Sequence, residues 1–398
     1  TAMIGKWHLD SQPTHFDYWT ILPGQGHYYQ PDFITPEGRK NHQGYATNLI
    51  TDFGLDWLEN GRDKKKPFCL FLHHKAAHRN WMSDTTYLKA YEDKTFELPT
   101  NFYDDYSGRK AAKMQEMSIA SDRDMDIVND LKMLRPGVST RLSEQYIQGE
   151  YARLDSAQKT KWDAHYQPII DAFYASGLQG NELAEWKYQR YMRDYAKTIK
   201  SLDENVGRIL DYLEKNGMLE NTVVIYTSDQ GFYMGEHGWF DKRFMYEESF
   251  STPLVMWLPK SYKKRGDIPQ LVQNIDFAPT MLELAGAPIP SDIQGVSLVP
   301  LLKNEKAPAN WRKSLYYHYY EYPGEHAVRR HYGVRTERYK LIRFYGDIDE
   351  WELFDLQADP MEMNNLYGKT GYEKITGELC AELKRLQEQY DDPIRKDN

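Results

Sequence analysis

The chain has 398 residues, 40% hydrophobic and 27% charged, which is ordinary globular usage and enough for two or three domains at about 150 residues each. With 50 Lys and Arg against 59 Asp and Glu, the net charge is −9, which argues against a general nucleic-acid binder. No apolar stretch approaches the roughly 18 residues of a transmembrane helix, and two cysteines, Cys69 and Cys380, exclude a disulfide-rich scaffold without settling the compartment.

Aromatic residues make up 14%, including 31 Tyr. Such side chains suit wet clefts and sugar-binding faces; a large core with Tyr-rich sheet surfaces accounts for them more simply. The opening, Thr1-Ala2-Met3-Ile4-Gly5-Lys6-Trp7-His8-Leu9, has no initiator Met, basic stretch or apolar leader. It reads as a strand or the turn after one, and the natural N-terminus is expected to be missing. Thr47–Asn60 has apolar residues at helical spacing and ends at Gly61. Pro67–His73 reads as a buried strand.

From about 80 to 195 the composition turns to Tyr, Lys, Asp, Glu and Met without strand signals. It is expected to be a helical insertion over one end of a sheet, with Met114, Met117, Met125 and Met133 as packing. Lys197–Asn216 is a helix pattern stopped at Gly217, Thr222–Ser228 and Pro253–Leu258 read as buried strands, and Asp276–Ala285 as a shorter helix. This alternation predicts an α/β fold, a largely parallel sheet flanked by helices. In the tail, Leu315–Tyr322, Tyr332–Phe344 and Trp351–Leu356 read as antiparallel strands, with turns at Pro323-Gly324 and Gly346-Asp347, and Tyr372–Tyr390 as a closing amphipathic helix. The expected division is an α/β domain over 1–305 and a small α+β subdomain with an antiparallel sheet over 306–398.

Ser228-Asp229-Gln230-Gly231 directly follows a predicted strand, and open α/β sheets bind ligands at the carboxyl ends of strands. Asp229 and Gln230 both offer oxygen, the donor that Ca²⁺ takes; the plainer reading is an Asx turn with Gly231 left-handed. Lys242, a few residues after Gly235-Glu236-His237-Gly238, is a compact charge suited to an oxyanion, or part of a solvated basic loop. Lys6 and His8 would share one side of an extended segment, a cation and an imidazole for a tetrahedral anion; a plain strand end competes. His78 follows the Pro67–His73 strand in a loop, where functional side chains concentrate and where a lone His is usually surface decoration. All these residues fall at strand ends or just beyond. Converging, they would hold a dianion or a sulfate ester, and the residue types by themselves do not choose sulfate over phosphate.

The same residues carry a resemblance. Gly5-Lys6-Trp7-His8-Leu9, Lys75-Ala76-Ala77-His78, the runs 195–213, 221–237 and 276–302, and Lys242 with Tyr246-Glu247-Glu248-Ser249 are collinear and cover most of the chain outside the insertion. Together they resemble the formylglycine-dependent sulfatases of the alkaline phosphatase superfamily. The tail over 330–359 is similar to bacterial glycosaminoglycan sulfatases, in particular N-acetylglucosamine-6-sulfatase-like members. The resemblance implies an alkaline-phosphatase-like fold and hydrolysis of sulfated sugars such as glycosaminoglycan-derived N-acetylglucosamine 6-sulfate. It implies Asp229 and Gln230 as two Ca²⁺ ligands and Lys6 and Lys242 on the sulfate oxygens. His8 would act as a base beside the formylglycine hydroxyl, and His78 would hold the sulfate and protonate the departing sugar oxygen. His237 and His331 would be sugar contacts. A covalent sulfated enzyme is implied, as is a periplasmic or secreted location; the expected partner is a sulfated carbohydrate, with no nucleic acid and no membrane span.

One departure matters. The family's nucleophile is a Cys or Ser in a Cys/Ser-x-Pro/Ala-x-Arg motif, and neither Cys69 nor Cys380 has that context; both read as plain core or helix residues. The motif and the paired aspartates of the Ca²⁺ site are expected upstream of residue 1. This stretch alone is therefore expected not to turn over substrate, to bind Ca²⁺ poorly and to leave apolar sheet surface exposed. A phosphodiesterase or phosphatase of the same superfamily stays open, although such members tend to show Asp-His where this chain has Asp229-Gln230. A non-catalytic carbohydrate-binding relative also stays open, against which stand both lysines and both histidines.

Overall fold

In the computed structural model the apolar opening is a strand, β1 (Ala2–Lys6), set in a five-stranded sheet. The structure describes residues 1–262, 266–303 and 307–396, and the boundary expected at 305/306 lies outside them. The chain packs as two units: Thr1–Leu98 with Ile119–Leu219, and Pro99–Ser118 with Glu220–Asn398.

In unit one, β2 (Tyr18–Leu22) and β5 (Leu70–His73) flank β1 in parallel. An antiparallel hairpin, β3 (Asp32–Thr35) and β4 (Gly38–Asn41), extends the sheet beyond β2. The side-chain alternation of a strand buries β1 on both faces. Ala2 and Ile4 pack with Leu22, Leu70 and Leu72, while Met3 packs with Trp19, Ile21 and Phe71. The predicted first helix, α1 (Ala46–Asp56), lays Ile50 on the Ala2–Ile4 face and runs on through a wider turn to Gly61.

The 80–195 stretch divides. Up to residue 142 it is irregular apart from short helical turns and α2 (Lys110–Met114), which belongs to unit two. Helices follow: α3 (Ser143–Gly149), α4 (Ser156–Ser176) and α5 (Gly180–Lys215), whose second half is the predicted 197–216 helix. Helices, expected over 80–195, thus form mainly from 143 onward, with the short α2 before them. Side chains take the backbone partners a helix would have used. The Asp126 carboxylate accepts from the amides of Val128, Asn129 and Leu142 and from the Thr140 hydroxyl. Buried tyrosines act likewise: Tyr29 donates to the Ser83 carbonyl at 2.6 Å, Tyr45 to Met82 at 2.8 Å and Tyr188 to Glu97 at 2.8 Å. Much of the Tyr content is therefore core whose hydroxyls tie down irregular chain. Met117, Met125 and Met133 are fully buried packing residues, as expected.

In unit two, β6 (Val224–Thr227) pairs antiparallel with β9 (Leu254–Trp257). Both were expected as buried strands of a parallel sheet. They instead form a pair of their own, with Tyr226, Val255 and Trp257 exposed. An apolar run specifies a strand but neither its partner's direction nor its depth. Between them lie β7 (Tyr233–Met234), β8 (Phe240–Asp241) and the short α6 (Glu247–Phe250). The predicted α7 (Phe277–Leu284) and a short α8 (Val299–Lys303) follow.

The tail is an antiparallel sheet of β10 (Ser314–Tyr319), β11 (His331–Thr336), β12 (Tyr339–Phe344) and β13 (Glu350–Asp355) in that order. The run Tyr332–Phe344, expected as one strand, is a hairpin. Its turn has no Gly, Asn or Pro to announce it; the Thr336 hydroxyl closes it against the Tyr339 amide at 2.9 Å, and Arg338 grips Asp355. The closing helix α9 (Glu373–Gln389) sets Leu379, Leu383 and Leu386 against Val334, Leu341 and Leu353. Ile342, Phe344 and Phe354 pack on an aromatic cluster of Tyr233, Trp239, Phe244 and Tyr246. The α/β class with a small C-terminal antiparallel sheet is as expected.

Candidate active site

Unit one brings its candidates to one edge of the sheet. Parallel pairing places Gly5 beside His73, so Lys6–His8 and the chain after His73 leave at the same carboxyl edge. Gly5 has φ +107°, and a Cβ there would lie 2.1 Å from the His73 carbonyl oxygen; only glycine permits that approach. The His73 ring sits 3.1 Å from the Lys6 carbonyl. Lys6 is half-buried and ends the strand, whereas His8 is exposed with φ +48°. The two do not share a side through an extended backbone, because the left-handed turn at His8 breaks the alternation. His78 is held by its backbone: its amide donates to Lys75 at 3.0 Å, and its carbonyl accepts from the Tyr28 hydroxyl at 2.6 Å. Its Nδ1 lies 2.8 Å from the Arg79 carbonyl. Tyr28 gave no signal in the sequence beyond its aromaticity.

Unit two gathers its candidates around one serine. Asp229 is exposed and takes a 3.2 Å hydrogen bond from Ser228, and Gln230 is half-buried. Gly231 is not left-handed, as the Asx-turn reading had it. It is glycine because a Cβ would lie 2.1 Å from the Glu248 carbonyl oxygen and 2.4 Å from that of Ser251. The Gly231 amide donates to the Ser249 carbonyl at 2.9 Å, and the Arg243 amide to the Ser249 hydroxyl at 2.8 Å. Ser249 thus ties the Asp229–Gln230 loop to the Lys242–Arg243 loop. Sequence reasoning gave it no role, although it lies in the matched run Tyr246–Ser249. Lys242 lies 3.9 Å from Asp241 and has no hydrogen-bond partner among the described residues. Burial works against the Asp241 carboxylate, but Lys242, His326 and Arg243 hold its pKa well below the ordinary range. Arg243 at 2.6 Å and His326 at 3.0 Å take its oxygens, and Lys242 pairs with it at the longer distance, its ammonium 5.8 Å from the centre of the Phe232 ring.

Asp229 and Gln230 have the oxygen donors that suit Ca²⁺, but they would supply only part of a shell of about six to eight ligands. Among the described residues no group of three or more His, Cys, Asp and Glu could hold a metal. The half-buried Cys380 lies on α9, and Cys69, expected inside the core, is exposed just before β5. A cleft of about 580 Å³ in unit two is lined by Glu247, Arg335, Arg338 and Leu356 among others; none of the candidates lines it.

His237 and His331 are fully buried. His237 sits with Nδ1 2.7 Å from Asp104, which also pairs with Arg109, and burial lowers its pKa. His331 faces the Arg329 carbonyl at 2.7 Å, and burial pushes it down to about 4. Neither presents an atom to solvent, so neither is carried forward as a sugar contact. The same unit buries carboxyls: desolvation pushes Glu248 and Glu352 up to about 8, and Glu352 takes the Tyr246 hydroxyl at 2.8 Å. The folded chain keeps these protons while the unfolded chain releases them near the ordinary 4.5. Their contribution to stability is therefore full below that value and is lost as pH rises towards 8. Glu352→Gln is expected to flatten the fall of Tm across that window, measured by calorimetry between these two values; an unchanged slope would contradict the assignment.

Residues 1–287 match the sulfatase family, and residues 235–389 match the C-terminal region of N-sulphoglucosamine sulphohydrolase. The chain is 52% identical over 397 residues to an N-acetylglucosamine-6-O-sulfatase of Bacteroides thetaiotaomicron, covering 98% of this chain and 71% of that protein. It is 37% identical over 244 residues to arylsulfatase K of Rattus norvegicus, covering 60% of this chain and 42% of that protein. A solved structure in complex with its substrate D-glucosamine-2-N,6-O-disulfate superposes with a TM-score of 0.93 at 51% identity, over 98% of this chain and 80% of that one.

Proposed function

The chain belongs to the sulfatase family, and from that premise we propose that the protein carrying it hydrolyses sulfate esters of sulfated sugars, with N-acetylglucosamine 6-sulfate from glycosaminoglycans as the substrate class. The identity to the Bacteroides N-acetylglucosamine-6-O-sulfatase along nearly the whole chain carries the reading. From unit one the proposal takes Lys6 as a cation on the sulfate oxygens, His8 as a proton acceptor and His78 as the acid for the departing sugar oxygen. From unit two it takes Lys242 as a second sulfate cation. Fixed positive charge counts most where charge grows as the S–O bond lengthens. Asp229 and Gln230 would hold Ca²⁺, which when bound adds charge stabilisation at those oxygens. Formylglycine is a different matter: no Cys or Ser in these 398 residues stands in its motif, so no step is assigned to it.

The test is sulfate release from N-acetylglucosamine 6-sulfate, compared with phosphate release from the 6-phosphate, by the protein that carries this sequence. Sulfate release that is lost on chelation and restored by Ca²⁺ is the expected result. Preferential phosphate release would move the protein to the phosphatases, and sugar binding without turnover to a carbohydrate-binding role. A periplasmic or secreted location is part of the proposal, and cell fractionation tests it.

A further inference from the structure

The residue after His78 is built into unit one in a way the sulfatase reading does not use. Arg79 closes a two-toothed pair on Asp130, Nε to Oδ1 at 2.7 Å and Nη2 to Oδ2 at 2.6 Å, and Nη2 also donates to the Asp124 carbonyl at 3.0 Å. The Asp130 side chain is fully buried and that of Arg79 is 13% exposed. Asp130 is itself fixed, taking the Asp126 amide at 2.8 Å and the Asn129 side-chain amide at 2.9 Å. The next residue is held too: the fully buried Lys132 ammonium donates to the carbonyls of Asn80 and Asp130, each at 2.7 Å.

These contacts bear on the His78 ring directly, because the ring's own hydrogen-bond partner is the carbonyl of Arg79, 2.8 Å from Nδ1. A carbonyl accepts only, so Nδ1 carries hydrogen there, and proton exchange falls to Nε2. Whatever fixes residue 79 therefore fixes the angle and the tautomer of the ring, as partners behind a functional histidine do elsewhere. A bidentate guanidinium–carboxylate pair defines that position in two directions, which a lysine cannot reproduce.

We propose that Asp130, acting through Arg79, is a positioning residue that sets His78 to protonate the departing sugar oxygen. The inference rests on the reading of His78 given above. In that step the proton on Nε2 passes to the ester oxygen as the O–S bond breaks, leaving the sugar hydroxyl and a neutral imidazole; in the net reaction water supplies the oxygen that completes sulfate.

A proton is needed only where the leaving oxygen is a poor one, and this separates positioning from mere stability. In the protein that carries this sequence, kcat and KM are measured for N-acetylglucosamine 6-sulfate and for 4-nitrophenyl sulfate, whose phenolate leaves unaided. The variants are Asp130→Asn, Arg79→Lys, His78→Ala and the His78→Ala/Arg79→Lys pair. Loss of general-acid assistance is worth roughly 10²- to 10⁴-fold. His78→Ala is expected to lose activity in that range on the sugar sulfate and little on the aryl sulfate. Arg79→Lys and Asp130→Asn are expected to show the same asymmetry at about 10- to 100-fold in kcat with KM nearly unchanged, and Arg79→Lys to add nothing on the His78→Ala background. If His78→Ala shows the asymmetry while both other variants depress the two substrates alike, or neither, the positioning role is wrong. If His78→Ala itself shows no asymmetry, the role of His78 fails instead. Should Asp130→Asn not fold, Arg79→Lys decides alone, because its charge and most of its stem are kept.

Discussion

On the proposed role, Lys242→Ala is expected to lower kcat/KM for sulfate-ester hydrolysis by about 10²- to 10³-fold, the cost of removing one preorganised charge-stabilising donor. The fold should tolerate the change. Asp241, the carboxylate beside Lys242, keeps Arg243 at 2.6 Å and His326 at 3.0 Å, so no buried charge is left bare. Lys242 itself stands 3.9 Å off and makes no hydrogen bond among the described residues, so its loss removes one longer-range ion pair and the contact with the Phe232 ring but no hydrogen bond. Lys242→Arg restores the charge but presents a planar fork in place of a compact ammonium, and recovers only part of the rate. Steady-state kinetics with a thermal melt of each variant checks this. Activity within about threefold of the parent, against the two decades or more that a donor is worth, would remove Lys242 from the site.

Gly231→Ala should damage both fold and activity. Its new methyl would stand 2.1 Å from one carbonyl oxygen and 2.4 Å from another. Both are backbone atoms, those of Glu248 and Ser251, so no side chain can swing aside. Overpacking of this kind costs about 1–3 kcal/mol, and a unit of this size loses about 2–4 °C in Tm per kcal/mol. The displacement also breaks the amide contact to Ser249 that seats the Asp229–Gln230 loop. Activity should fall beyond what the melt explains, and added Ca²⁺ should recover part of it. A variant with parental Tm and parental Ca²⁺ dependence would show that the loop can shift freely, contrary to the packing.

Ser249 and Gly231 also show how far residue patterns reach. Gly231 was visible as a glycine after an Asp-Gln pair, and the turn chemistry of such pairs pointed to a left-handed residue. The actual constraint comes from two carbonyls about twenty residues further along the chain. His237 and His331 illustrate the same limit. Each lies in or beside a matched segment, and each is a buried ring: His237 is held by the distant Asp104, and His331 by the carbonyl of nearby Arg329 while it packs against the distant Phe244 and Phe344. Nothing local distinguishes such a histidine from one that faces a sugar.

The sequence by itself determined the class of fold, the family, the strands β1, β5, β6, β9, β10 and β13, and the helices α1, α7, α9 and the second half of α5; it gave no sign of β2–β4, β7 or β8. Apolar alternation, helix stops at glycine and the collinear order of short motifs are local properties, legible wherever propensity and packing agree. Tertiary structure alone decided the antiparallel pairing and exposure of β6 and β9, the irregular course of 80–142, the hairpin inside 332–344, and which histidines reach solvent. It also decided that Ser249 ties two loops of unit two together and that Asp130 holds Arg79 in unit one. Most of these depend on a hydrogen bond or a close contact between residues far apart in the chain, and no local pattern encodes a partner that only folding brings near; the 332–344 hairpin is the exception, closed locally by Thr336 and Tyr339 without a customary turn residue.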